Sequence, residues 1–267
     1  MHSMGTTLLS PLRRERINML TPIYDSTKGK MHVAGLVSGS GSSFRTIIEQ
    51  QIEMHAKGGC PYEVVAIFTD NPKSKVFDMG KEFNLPVFLN DIRAFYEKRG
   101  KKITDKQIRE EYDRETIKLF DPLKPDFLAY AGYVWATTTP IVNAYIGVNA
   151  HPADLSIEKD GRRAYAGANG VRDALMGGES EVRSSLHLVT TQVDGGPILL
   201  ISDPVKVDKN SGMSLEEASR VYLRALNDRT RKLFPRVVKD IAEGTYRRDE
   251  KGLLYYGDTP IPKGVRL

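Results

Sequence analysis

From residue 31 onward, short apolar runs alternate with longer stretches whose apolar residues recur at helical spacing. His32–Val37 ends in a loop of small residues and predicts a strand buried on both faces. Phe44 to about His55 sets Phe44, Ile47 and Ile48 on one side of a helix. Val64–Phe68 and Pro86–Leu89 predict further strands, with a short helix from Val76 to Phe83 between them. Thr104–Leu119 is charged but keeps Ile108, Tyr112 and Leu119 in phase, as a surface helix does, and Pro125–Tyr130 adds another buried strand. This alternation predicts an α/β, Rossmann-like fold: a mostly parallel twisted sheet with helices on both faces. Loops after the strands then share one edge, where open sheets of this kind bind ligands.

After Val148 the pattern changes. Leu155–Gly170 is polar and Gly-rich and reads as a long loop, of the functional kind when it lies inside a compact domain. Strands return at Ser185–Val189 and Ile198–Ile201. Ser214-Leu215-Glu216-Glu217 has capping-box spacing and opens a helix running to about Glu243, which Pro235 is expected to break or kink. Residues 1–30 show no sustained period. They are expected to form an N-terminal extension before one domain spanning 31–267.

Composition narrows the class. No apolar stretch approaches the ~20 residues of a membrane span, and the first residues lack the basic and apolar segments of a signal peptide. The one cysteine, Cys60, excludes an internal disulfide or a Cys-based zinc site and fits a reducing cytoplasm. Histidines and carboxylates show no metal-ligand spacing, so no metal is expected. A net charge of +5 is mild, and its basic clusters, such as Arg229-Thr230-Arg231-Lys232, lack interleaved aromatics. They read as solvated faces rather than a nucleic-acid stripe, while the positive field suits an anionic small substrate.

Two motifs concentrate the chemistry: Asn149-Ala150-His151-Pro152 and Asp194-Gly195-Gly196-Pro197. Asn149, His151 and Asp194 together can polarise a carbonyl, carry a proton and tune the imidazole that carries it. A third motif, Ser38-Gly39-Ser40-Gly41-Ser42-Ser43, joins the first strand to the first helix. Its backbone N–H groups and the helix N-terminus can cradle a phosphate. Phe44 stands where a dinucleotide fingerprint needs a third glycine, and there is no P-loop lysine. A reading from another class, an NAD(P)-binding protein using this loop and Asp70, stays open at this point.

On these motifs the chain resembles the tetrahydrofolate-dependent formyltransferases, and among them those acting on phosphoribosylglycinamide (GAR). Leu128–Tyr133, Ser185–Thr190, Leu233-Phe234-Pro235 and the tail from Gly244 to Pro260 extend the resemblance over most of residues 31–262. It implies that 10-formyltetrahydrofolate donates a formyl group to a primary amine, GAR or a similar phosphorylated acceptor. Asn149 and His151 then stabilise the oxyanion of a tetrahedral intermediate, each donor lowering the barrier by about 3 kcal/mol. Asp194 holds His151 and helps relay the proton. The resemblance further implies a folate pocket lined by Tyr133, Val134, Trp135, Val193 and Gly195, and an acceptor phosphate gripped by Gly39, Ser40, Gly41, Ser42 and Ser43. His187 matches a family histidine, yet a packed core histidine explains it equally well.

The sequence departs from the family pattern mainly around the acceptor. Ala153-Asp154-Leu155-Ser156 replaces the usual Ser-Leu-Leu-Pro, Ser40 and Ser43 replace asparagines, and Thr230 falls where an acidic residue reads the acceptor. The segment Asp91–Leu119 is expanded, and extra charges stand between His151 and Gly167. Transfer to another amine, such as an amino sugar, and hydrolysis of formyltetrahydrofolate therefore remain alternatives, hydrolysis the weaker because no regulatory domain accompanies the chain. A homodimer is compatible with the sequence, which does not decide the oligomeric state.

Overall fold

The first strand forms because both of its faces are covered. Met31 and Val33 enter one core layer, with Phe44, Ile47, Phe234 and Val237. Ala34 and Leu36 enter the other, with Ile108, Tyr112 and Ile141. Between them stands Gly35, where a Cβ would lie 2.6 Å from the Phe44 ring, so the first helix packs this closely only over a glycine. The computed structural model describes residues 19–267. Its principal strands are β1 (Met31–Leu36), β2 (Tyr62–Thr69), β3 (Val87–Leu89), β4 (Phe127–Tyr130), β5 (Ile146–His151), β6 (Glu158–Lys159), β7 (Arg162–Arg163), β8 (Ser185–Leu188), β9 (Ile198–Ile201) and β10 (Val265–Arg266). The helices are α1 (Ser42–Ala56), α2 (Val76–Phe83), α3 (Ile92–Glu97), α4 (Lys106–Phe120), α5 (Thr139–Ala144), α6 (Gly170–Met176) and α7 (Leu215–Ala242).

The main sheet runs β3-β2-β1-β4-β5-β8-β9-β10. Strands β3 through β5 are parallel, and β8 is antiparallel to both β5 and β9. Helices cover both faces, as the alternation of elements predicts. Strand order reverses at β1, whose neighbours are β2 and β4, and there the loops at the carboxyl ends part to form a crevice.

Three local expectations need correction. Pro235 does not end its helix: α7 is continuous from Leu215 to Ala242, and both halves of the Ser214/Glu217 capping box are made. A proline inside a helix costs about 3 kcal/mol. Burying Phe234, Val237, Val238 and Ile241, at about 1.5–3 kcal/mol each, outweighs that. The stretch read as one loop, Leu155–Gly170, contains the hairpin β6–β7, and helix α6 starts at its last residue. The hairpin tip, Asp160-Gly161, has both residues at positive φ (51° and 72°), as a type I′ turn requires. Finally, residues 21–24 of the expected extension pack on the domain, while 25–30 are exposed. Thr21–Pro22 pairs with Tyr246–Arg248, and Tyr24 is buried. A two-residue strand has no period to read. Residues 1–18 of that extension lie outside the described residues. Among the described residues no helix is long and apolar enough to cross a membrane.

Candidate active site

Strand register assembles the site. Asn149 and His151 are two apart on β5, so their side chains share a face. Antiparallel β8 sets His187 directly opposite Asn149. Asp194 arrives from the turn between β8 and β9 with φ at 49°, a left-handed conformation that aspartate tolerates better than most residues. The four side chains meet at the carboxyl end of β5.

Their hydrogen bonds fix the chemistry. His151 Nε2 lies 2.7 Å from the Tyr165 carbonyl oxygen, which can only accept, so Nε2 carries a proton. Its Nδ1 faces Asp194 Oδ2 at 3.3 Å. In the neutral ring this nitrogen is a lone pair, and on protonation it gains the carboxylate as partner. Nδ1 is therefore the atom equipped to take up a proton. Asp194 is itself held by the Gly167 N–H at 2.8 Å, with His187 Nε2 3.3 Å from its other oxygen. Asn149 Nδ2 lies 3.2 Å from His187 Nε2 and 3.4 Å from Asp194 Oδ1. The second contact is long, so that N–H is the one a developing oxyanion can recruit.

Burial pushes the His151 imidazole below its ordinary pKa, against the opposing pull of Asp194 and the Tyr165 carbonyl. Nearby His187 and Arg163 push it down further. For Asp194, burial acts upward but is outweighed by the His187 bond, the His151 ring and the Gly167 N–H, which hold the carboxyl down to about 2. The pair thus stands as neutral imidazole and carboxylate near neutrality.

The cluster lines one of two adjoining cavities. The larger, about 340 Å³, is lined by Tyr133, Val134, Trp135 and Val193 as well as Asn149, His151, His187 and Asp194. The smaller, about 200 Å³, is lined by Gly39 through Ser43 with Asn227 and Thr230. Gly132, Ala150 and Pro152 border both. Gly41, at φ 71°, turns the chain into α1, whose first N–H groups receive no side-chain cap. They remain available to an anion. Arg231 Nη1 contacts Ser42 Oγ at 3.3 Å, bringing a guanidinium to this loop. Arg231 belongs to the basic run expected on a solvated face, and its partner loop is 189 residues away in sequence.

Other candidates fall elsewhere. Gly195 does not line the larger cavity, and its N–H closes a turn onto the Gln192 carbonyl at 3.0 Å. Gln192, Thr190 and Thr191 line that cavity instead, and their polar run carried no signal. Asp70 accepts from Ser38 Oγ at 2.5 Å and from Trp135 Nε1 at 2.7 Å. Both oxygens tie the first loop to the loop after β4, which speaks against a ribose-binding role. Asp154 turns from the smaller cavity to Arg266, 3.0 Å away, while Thr230 lines that cavity. His187 belongs to the cluster. Among the described residues no group of three or more ligating side chains could hold a metal.

Residues 31–238 match the sequence profile of the family described as Formyl transferase. The chain belongs to that family. Phosphoribosylglycinamide formyltransferase of Escherichia coli strain K12 is 26% identical over 236 residues, covering 88% of this chain and 98% of that protein. The Mycobacterium tuberculosis protein of the same name is 26% identical over 193 residues, covering 72% of this chain and 79% of its own. The solved structure of the Coxiella burnetii phosphoribosylglycinamide formyltransferase superposes with a TM-score of 0.69 at 19% identity, over 89% of this chain and 99% of that one. That likeness bears on the fold alone.

Proposed function

We propose that this formyl transferase moves the formyl group of 10-formyltetrahydrofolate to the primary amine of GAR, with residues 31–267 as the catalytic domain. The observation that carries the reading is the place of the Asn149–His151–His187–Asp194 cluster, in a partly apolar cavity that shares Gly132, Ala150 and Pro152 with the cavity of a phosphate-type loop. A transferase joining two substrates needs that arrangement. The aromatic side of the larger cavity, Tyr133 and Trp135, fits a flat folate ring system. The smaller cavity offers backbone N–H groups to the acceptor phosphate, and Arg231 reaches the same loop through its contact with Ser42. As the amine attacks, Asn149 Nδ2 donates to the developing oxyanion, and His151 Nδ1 takes the proton released by the attacking nitrogen. Asp194 stabilises the imidazolium, which returns the proton to the departing folate nitrogen.

The deciding experiment mixes protein, 10-formyltetrahydrofolate and GAR and follows tetrahydrofolate by absorbance, with a control lacking acceptor. GAR-dependent release is expected. Release without any acceptor would instead make the protein a hydrolase. Release only with another amine, such as an amino sugar, would transfer the argument to Thr230 and its neighbours.

A further inference from the structure

We propose that Arg163, on the hairpin inserted between His151 and Gly167, is a positioning residue that holds Asp194 in register with His151. The inference rests on the reading of these two as catalytic groups. Arg163 Nη1 donates to the backbone oxygen of Asp194 itself, and Nη2 donates to the Gly196 oxygen at 2.7 Å. One planar guanidinium therefore clamps both sides of the turn that presents the carboxylate. That turn needs a clamp. Asp194 is left-handed, and Gly196 lies so close to Leu188 that a Cβ there would sit 1.8 Å from its carbonyl oxygen.

The same strand leads into the other contacts that fix the pair. Two residues on, the Tyr165 carbonyl holds His151 Nε2, and after two more the Gly167 N–H holds Asp194 Oδ2. Residues 163–167 thus form a single brace on both catalytic groups, anchored just before β6 by the Ala164 N–H on the Ile157 oxygen at 2.9 Å. The side chains facing the pair are the Arg163 guanidinium from the hairpin and the His187 ring from β8. The Asp160-Gly161 tip makes this brace a two-residue hairpin, a rigid way to carry an arginine to a turn 31 residues away.

The test compares Arg163→Met, which keeps the stem but no donor, and Arg163→Lys, which can reach one carbonyl, with Arg162→Ala on the exposed neighbour. Displacing a catalytic group by about 1 Å costs about 100-fold. Arg163→Met is therefore expected to lose roughly 10- to 100-fold in kcat, with folate affinity, read by quenching of the only tryptophan, Trp135, within about twofold. Arg163→Lys should recover part of kcat, and Arg162→Ala should match the parent. Without any substrate, the Gly167 amide of Arg163→Met should lose about tenfold of its hydrogen-exchange protection while the Ala164 amide keeps its own. The positioning role is refuted if Gly167 stays protected, or if kcat and folate affinity fall together. It is also refuted if Arg163→Met turns over normally while His151→Ala and Asp194→Ala are inactive. Normal turnover in those two alanine variants would overturn the catalytic reading itself.

Discussion

The loop Gly39–Ser43 and the cluster Asn149–His151–His187–Asp194 line adjoining cavities and are built by opposite means. The loop is contiguous in sequence and presents backbone N–H groups at a helix start. The cluster draws its members from β5, β8 and the following turn, and presents side chains whose meeting depends on strand register. Where backbone does the binding, side chains can change freely but the turn cannot. Where side chains do the chemistry, the reverse holds.

Replacing the reacting groups breaks the comparison most sharply. His151→Ala and Asp194→Asn should each lower kcat by about 10²–10⁴-fold while the protein remains folded and still quenches Trp135 on folate binding. Turnover within tenfold of the parent in either variant would show that proton transfer runs elsewhere.

On the loop side the largest effect should come from a backbone change. Gly41 has φ 71°, and its added Cβ would meet Met79 Cε at 2.8 Å and Val76 Cγ1 at 3.2 Å. Left-handed backbone costs a non-glycine residue about 1–2 kcal/mol, and a β-branched side chain is worse placed still. Gly41→Val should therefore raise the acceptor KM about tenfold or more, with folate binding unmoved. A rise shared by both substrates would mean that the crevice as a whole had shifted.

What the sequence disclosed follows the same division. Helix α2 has the bounds that its period indicates, and Phe44, Ile47 and Ile48 are buried together as their spacing demands. Asn149 and His151 were legible as a motif on a strand end. His187 was not separable from a core histidine, because only the antiparallel pairing of β5 with β8 turns it toward Asp194. Arg163 was hidden too, read only as extra charge within a loop. The Asp160-Gly161 dipeptide was the local sign of the hairpin that carries it. Pro235 does not break α7, because that local rule is outweighed by burial around it.

The pH response sharpens the cluster's side. Since burial sets the His151 pKa below 6.5, the unfolded chain takes up that proton first. The stability held by the neutral ring is complete above pH 6.5 and is lost as pH falls through the lower folded value. Turnover should follow with an acid limb below pH 6.5, because a protonated Nδ1 cannot accept from the amine. A limb above that value would contradict the neutral resting ring. The Asp194 carboxyl, held at about 2 against 3.8, contributes about 2 kcal/mol that is retained above pH 4 and lost only between there and pH 2. Unfolding followed from pH 8 to pH 2 should therefore weaken in two steps, and Asp194→Asn should remove the lower one.

The smallest effect is expected where family resemblance would place a large one. Ser40 and Ser43 stand in place of asparagines, which suggests altered acceptor binding if side chains do the gripping. Yet Ser40 is exposed and Ser43 only half-buried, and each also brings a backbone N–H to the loop that borders the smaller cavity. An alanine at either position keeps every N–H group and the turn at Gly41. Ser40→Ala and Ser43→Ala should accordingly change the acceptor KM by no more than about twofold, within the range of ordinary surface substitutions. A change of tenfold in KM would assign the grip to hydroxyl groups, and the contrast between a backbone site and a side-chain site would fail on the loop's side.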